Sequence, residues 1–207
     1  GRADRGSGLA EGAGGAAARV YCAAMAKPNV VLIAADRHRW DCFGFSGHPD
    51  VRTPNLDALA AHGVAFTQAT AAALEGAAAR AALLTGSYPS RSGIADGSAP
   101  WREDAFWLPR ALKAQGYATA AVGEMRARPA RAAIGFDTLR LAERHGDGRR
   151  ADDYHGYLRG QGFTDLVDEW ATVRGNEAPP LFRESLGALR STLPQQVHGT
   201  VWTGDQA

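Results

Sequence analysis

Cysteine, lysine and net charge are all scarce in this sequence of 207 residues, and each scarcity excludes a class of protein. The two cysteines, Cys22 and Cys42, have no metal-binding spacing and are too few for a disulfide framework, which favours a reducing compartment. Lys27 and Lys113 are the only lysines and the formal net charge is +1, so the composition does not indicate nucleic-acid binding. No apolar run approaches the roughly 20 residues that a membrane-spanning helix requires.

The first 24 residues are rich in glycine, alanine and arginine and show no hydrophobic periodicity. A secretory signal needs an uninterrupted apolar stretch of about 7–15 residues, and Arg19 interrupts the only candidate. We therefore expect residues 1–24 to be a disordered extension and residues 25–207 to be the folded part. Because no signal follows Met25, we predict a cytoplasmic location.

The distribution of apolar residues predicts an α/β fold with a mostly parallel sheet flanked by helices. Residues 29–35 form a short continuous apolar run that is rich in β-branched residues, which is typical of a strand buried on both faces. Thr53, Pro54 and Gly63 are start and stop signals for a helix. Further strands are expected at 64–66, 117–122 and near Phe136, and further helices at 77–84, 105–115, 152–160, 164–173 and near Leu186. Without a closing strand and helix, the domain is expected to be incomplete at its carboxyl end.

Three stretches of the chain carry recognisable motifs. Residues 27–70 are similar to the amino-terminal signature of the type I sulfatases, which belong to the alkaline-phosphatase-like superfamily. Residues 80–94 resemble the second half of that family's active-site signature, and residues 111–124 resemble a strand that normally ends in Gly-Lys. The resemblance implies the amino-terminal part of a sulfatase fold and the hydrolysis of sulfate esters. It also implies a bound calcium ion and a cysteine or serine that is oxidised to formylglycine.

The nucleophile of this family is missing from the matching position. Alignment on Arg80 places it at Gly76, and it places the proline of the motif at Ala78. Glycine has no side chain to oxidise, so formylglycine cannot form, and losing a covalent nucleophile lowers the rate on the order of a millionfold. The resemblance implies that Arg80 supports the formylglycine hydrate; a structural ion pair with Glu75 or Asp36 is the alternative.

The metal site is also altered. Asp36 matches the first metal-ligand position, with capping of the following turn as its alternative role. The next position is Arg37, which has hydrogen-bond donors only and cannot bind a hard cation. At about 4 Å and an effective dielectric constant of about 20, each unit of repulsion costs about 4 kcal/mol. The family's other metal ligands belong to a later strand that these residues do not reach. The sequence therefore argues against calcium binding.

Two positions that contact sulfate in the family have changed as well. The lysine that ends the strand is replaced by Glu124, for which a solvated surface carboxylate is the preferred interpretation. The histidine two residues beyond is replaced by Arg126. His198 lies in a stretch similar to the family's substrate region, with core packing or loop anchoring as the safer alternative. Arg126 and His198 are therefore the candidate substrate-binding residues.

A second group of polar residues comes late in the chain. Asp152, Asp153 and His155 have a spacing that resembles a metal site. A solvated helix start is the favoured interpretation, because no third ligand is evident.

Three functions follow from these patterns. The first is a sulfatase-family protein that is catalytically inactive, because the replacements fall at its active-site positions. The second is a module that binds a small sulfated or phosphorylated anion without turnover, since arginine matches the geometry of these anions. The third is an active hydrolase with another nucleophile. The arginines available to an anion are Arg37, Arg39, Arg80 and Arg126. The sequence does not fix the oligomeric state or the natural substrate.

Overall fold

A computed structural model describes residues 27–36, 38–144, 151–166, 179–184 and 189–207 of the chain. Contacts divide the chain into two compact units, Gly1–His62 and Gly63–Ala207. The predicted disordered extension lies outside the described residues, as do Leu186 and most of the predicted helix at 164–173. None of the helices in the described ranges is long and apolar enough to cross a bilayer. The treatment of residues 25–207 as one part of a domain stays a prediction.

The first unit is organised by one helix and a short turn that it holds in place. Helix α1, Pro54–His62, begins and ends where the sequence signals predict. A 3-10 turn, Gly44–Ser46, precedes it. Thr53 Oγ1 accepts a hydrogen bond from Gly44 N and donates one to Asp57 Oδ1, both at 2.8 Å. The residue before the helix therefore fixes the turn against the first helical turn.

Residues 29–35 form no strand, so the prediction of a buried strand there is wrong. Their side chains are exposed, and Ile33 keeps 79% of its surface accessible. A strand requires a neighbour that pairs with its backbone, and the sheet of the described residues consists of two later strands. Residues 64–66, predicted as a short strand, are also irregular and exposed.

The second unit contains a parallel two-stranded sheet and several helices. Strand β1, Ala120–Gly123, pairs in parallel with strand β2, Thr138–Leu141. Ala120 lies opposite Thr138 and Gly123 opposite Leu141. This arrangement confirms the predicted α/β class with parallel pairing. The helices are α2, Gly76–Thr85; α3, Pro89–Ser92; α4, Leu108–Ala114; α5, Asp153–Gly160; α6, Pro180–Glu184; and α7, Gly199–Gln206.

Most of the predicted helices in this unit are present, with differences at their ends. Helix α4 starts later than residue 105, because its N-cap Trp107 is extended and Pro109 occupies the first turn. The sequence patterns miss α3 and α7. Helix α7 begins after His198, whose Nδ1 accepts from Thr200 N at 3.3 Å. Histidine is not among the usual N-cap residues, so no start signal marks this helix in the sequence.

Two clusters of buried side chains hold the second unit together. The first joins α2 to a stacked pair, Trp101 and Trp107, whose ring centroids are 5.0 Å apart. The second joins Tyr154 of α5 to Trp202 of α7, with ring centroids 5.5 Å apart. Together they fix α2 and α5, the two helices that carry the polar residues described below.

The contrast between a buried and an exposed isoleucine tests this placement of the core. Ile94 belongs to the first cluster and is 1% exposed, whereas Ile33 is 79% exposed. We predict that Ile94→Ala lowers the free energy of unfolding by about 2–4 kcal/mol. The matched Ile33→Ala should change it by less than about 0.5 kcal/mol. Urea denaturation followed by circular dichroism measures both, and equal losses would contradict the exposed position of residues 29–35.

Candidate functional site

The amino terminus of α2 is capped by a carboxylate from the chain itself. Glu75 Oε2 accepts from Ala77 N at 2.7 Å and from Ala78 N at 3.0 Å. These bonds satisfy two of the four N–H groups that a helix start leaves open, and they place negative charge at the positive end of the helix dipole. Gly76, which the motif alignment predicts to be the nucleophile position, is the first residue of the helix and lies at this capped end.

Glu124 lies between two guanidinium groups. Its Oε2 accepts from Arg80 Nη2 at 3.3 Å, and its Oε1 accepts from Arg126 Nε at 2.8 Å. The side chains of Arg80, Glu124 and Arg126 are 19%, 11% and 14% exposed, so the cluster is largely shielded from water. The interpretation of Glu124 as a solvated carboxylate is therefore wrong. Arg80 does form a structural ion pair, as the alternative interpretation predicted. Its partner is Glu124, which the motifs did not indicate.

Gly76 has no side chain, and the guanidinium groups of both arginines lie where a side chain would be. A Cβ atom built on Gly76 would lie 2.7 Å from Arg80 Nη1 and 2.7 Å from Arg126 Nη1, closer than real Cβ atoms approach other heavy atoms. Arg80 Nη1 also donates to Gly76 O at 3.2 Å. A side chain at position 76 therefore requires both guanidinium groups to shift, within a cluster where each also bonds Glu124.

A second carboxylate holds the backbone that carries Arg126. Glu143 is 2% exposed, and its Oε1 accepts from Met125 N at 2.9 Å and from Arg126 N at 3.1 Å. Arg126 has a φ of 54°, in the left-handed region that non-glycine residues rarely occupy. The contacts of Glu143 hold this conformation in place. No sequence motif indicates a role for Glu143. Its burial and hydrogen bonds in the structure identify it as part of the site.

Burial raises the pKa of Glu143 above its ordinary value. The backbone hydrogen bonds from Met125 and Arg126 oppose this shift in pKa, the negative charge of Glu124 adds to it, and the charge of Arg80 opposes it. The folded state therefore binds the proton of Glu143 more tightly than the unfolded state does.

The group at the start of α5 is structural. Asp152 Oδ1 accepts from His155 N at 2.7 Å and bonds His155 Nδ1 at 2.8 Å, while Asp152 Oδ2 accepts from Glu143 N at 2.6 Å. Asp153 Oδ2 accepts from Leu141 N at 2.7 Å. The predicted helix start is confirmed, but its predicted solvation is wrong for Asp152 and His155, which are buried. These residues connect α5 to the end of β2 and to Glu143.

The predicted site residues belong to both units of the chain. Gly76, Arg80 and Arg126 lie together in the second unit, whereas Asp36 is an exposed residue of the first unit. Residue 37 lies outside the described part of the chain. His198 caps α7, which fits loop anchoring, and its role as a substrate contact stays a prediction. Within the described ranges, no group of three or more His, Cys, Asp or Glu side chains is placed to hold a metal ion.

The raised pKa of Glu143 predicts a specific dependence of stability on pH. Its contribution is fully present below the ordinary glutamate value of 4.5 and is lost as the pH rises through the raised pKa of the folded state. The wild type should therefore lose stability relative to Glu143→Gln as the pH increases from 4.5 to 8. Denaturation with urea across this range measures the difference. The exposed Glu103→Gln serves as the control. A difference in free energy of unfolding from the wild type that does not change with pH for either variant would contradict the raised pKa of Glu143.

Comparisons with known proteins agree with these observations. The sulfatase family model matches residues 28–184. The chain is 34% identical over 147 residues to an ulvan-active sulfatase of Formosa agariphila, covering 71% of this chain and 24% of that protein. It is 39% identical over 114 residues to the human steryl-sulfatase, covering 49% of this chain and 19% of that protein. The chain thus spans about a quarter or less of the length of these relatives.

A solved structure shows the same relationship at the level of the fold. The phosphonate monoester hydrolase of Agrobacterium radiobacter superposes with a TM-score of 0.61 at 25% sequence identity, covering 87% of this chain and 37% of that chain. That similarity and the family match agree with the three motifs found in the sequence. The chain therefore belongs to the sulfatase family and corresponds to the amino-terminal portion of its alkaline-phosphatase-like fold.

Proposed function

We propose that this chain is a sulfatase-family protein that does not hydrolyse sulfate esters, because position 76 lacks a side chain that can act as the nucleophile. The family generally uses calcium and formylglycine. The observation that supports the proposal is the crowding at Gly76, where a Cβ atom would lie 2.7 Å from a guanidinium nitrogen of both Arg80 and Arg126. The space next to the backbone at this position is therefore taken by arginine.

The donor set of the described residues does not fit a calcium ion. Asp36 is the carboxylate retained from the metal site, and the following Arg37 has donors only and would repel a cation. No group of three or more carboxylate, imidazole or thiol side chains in the described part of the chain is placed to hold a metal ion.

The residues around Gly76 can bind an anion. Arg80 and Arg126 place two guanidinium groups beside the amino terminus of α2, and both features favour anions. This convergence favours a second candidate function, the binding of a small sulfated or phosphorylated anion without turnover. Glu75 and Glu124 already accept from these donors, so an added anion must compete with two carboxylates of the chain.

An active hydrolase with another nucleophile is the third candidate. Glu75 is the acidic side chain next to the nucleophile position, and its carboxylate is engaged by the first N–H groups of α2. A carboxylate in that role is a poor nucleophile, because attack would leave these N–H groups without an acceptor.

A cytoplasmic location stays a prediction from the sequence.

Release of 4-nitrophenol from 4-nitrophenyl sulfate tests the proposal. We expect the purified wild type to give no turnover above the buffer rate, with or without added calcium, because no nucleophile is present. The variant Gly76→Cys with Ala78→Pro, coexpressed with a formylglycine-generating enzyme, restores the nucleophile motif. We expect it to remain inactive because Arg37 cannot bind a cation and because Glu124 would repel a sulfate ester. Turnover by the wild type would refute the proposal.

A matched control distinguishes the effect of a nucleophile at position 76 from the effect of an added thiol elsewhere in the protein. A cysteine at Gly160, where an added Cβ atom meets nothing within 4 Å, introduces the same group at an open surface position. Mass spectrometry of both variants shows whether the introduced thiol is oxidised. Activity in the Gly76 variant alone would mean that the nucleophile was the only missing part.

A further inference from the structure

We propose that Glu124 acts as an internal oxyanion that closes a binding site formed by Arg80 and Arg126. An external tetrahedral oxyanion, inorganic phosphate or sulfate, then binds between these arginines only when the carboxylate of Glu124 is removed or displaced. This inference rests on the proposed function, because it concerns the same surroundings of Gly76. It concerns occupancy of the site, whereas the proposed function concerns turnover.

The contacts of Glu124 are those that an oxyanion would make. Each of its two oxygens accepts from a different guanidinium, Oε2 from Arg80 at 3.3 Å and Oε1 from Arg126 at 2.8 Å. Two neighbouring oxygens of a phosphate or sulfate ion can bridge two arginines in the same way. An external anion therefore competes for the same donors rather than occupying a separate surface.

Contacts that do not involve Glu124 hold the Arg80 side chain and the Arg126 backbone. Arg80 belongs to helix α2, and its Nη1 donates to Gly76 O at 3.2 Å. The backbone of Arg126 is fixed by the buried carboxylate of Glu143, which accepts from Arg126 N at 3.1 Å. Removal of the Glu124 side chain therefore leaves the backbones of both arginines in place. Donors that are organised in advance lose less entropy when they bind a ligand.

Charge and burial explain why an external anion is excluded from the site in the wild type. The two arginines and Glu124 are less than a fifth exposed, so their charges are weakly screened by water. An anion that approaches meets the negative charge of Glu124 at close range, together with that of Glu143 when it is ionised. Loss of the Glu124 carboxylate removes this repulsion and takes one acceptor away from each guanidinium group.

Isothermal titration calorimetry with inorganic phosphate and with inorganic sulfate tests the inference, at constant ionic strength set with sodium chloride. We expect Glu124→Ala to bind both ions at least about tenfold more tightly than the wild type, because a like charge is removed and space is opened. Glu124→Gln removes the charge and keeps the shape, so its gain should be smaller. Adding Arg126→Ala to Glu124→Ala should abolish the gain.

The exposed Glu103→Ala is the charge-matched control, since it removes one carboxylate outside the cluster and should leave anion affinity unchanged. Circular dichroism and urea denaturation establish which variants are folded. If Glu124→Ala fails to fold, Glu124→Gln decides the outcome, because its amide still bonds one arginine. Equal affinity in the wild type and the folded Glu124 variants would overturn the inference, and so would an equal gain in the Glu103 control.

The two proposals fail in distinguishable ways. Hydrolysis of 4-nitrophenyl sulfate by the wild type would refute the proposed function and would leave a gain in phosphate affinity in the Glu124 variants untouched. Absence of turnover together with unchanged anion affinity in those variants would refute this inference and leave the proposed function standing.

Discussion

The carboxylate of Glu124 between Arg80 and Arg126 is the interaction on which this part of the molecule depends. Two guanidinium groups held largely away from water cost several kcal/mol unless an acceptor compensates them, so the site needs this carboxylate or a substitute. The arginines in turn occupy the side-chain space of Gly76. Glu143 holds the backbone at Arg126 in its left-handed conformation, and Asp152 accepts from Glu143 N, so hydrogen bonds connect the end of β1 with the start of α5.

Local signals predicted the helices well and the strands less well. Helix α1 follows the Thr53, Pro54 and Gly63 signals, and helix α5 follows the capping carboxylate of Asp152, because such signals act through contacts within a few residues. The apolar run at residues 29–35 shows only that these side chains favour burial. Whether they form a strand depends on partners elsewhere in the chain, and in the described residues β1 and β2 pair with each other.

The candidate site was predicted in part. Family motifs identified Gly76, Arg80 and Arg126, and the structure brings these three together. The environment of Glu124 was predicted wrongly, because Arg80 lies 44 positions earlier and one position considered alone does not reveal such a partner. Glu143 was missed, since a buried carboxylate that accepts backbone hydrogen bonds leaves no pattern in the sequence. Polar residues with partners far along the chain are the ones that sequence patterns place least well.

The replacements at positions 124 and 126 are best understood as one coupled change. The motif resemblance predicts a lysine and a histidine at these two positions, where this chain has Glu124 and Arg126, joined by a hydrogen bond of 2.8 Å. Changing either residue alone alters the balance of charge in a cluster that is mostly shielded from water, because Glu124 bonds both Arg126 and Arg80. Reverting one position does not rebuild a sulfate site for the same reason. A lysine at position 124 would add a third cation beside Arg80 and Arg126, and at about 4 Å each such repulsion costs about 4 kcal/mol at an effective dielectric constant of about 20.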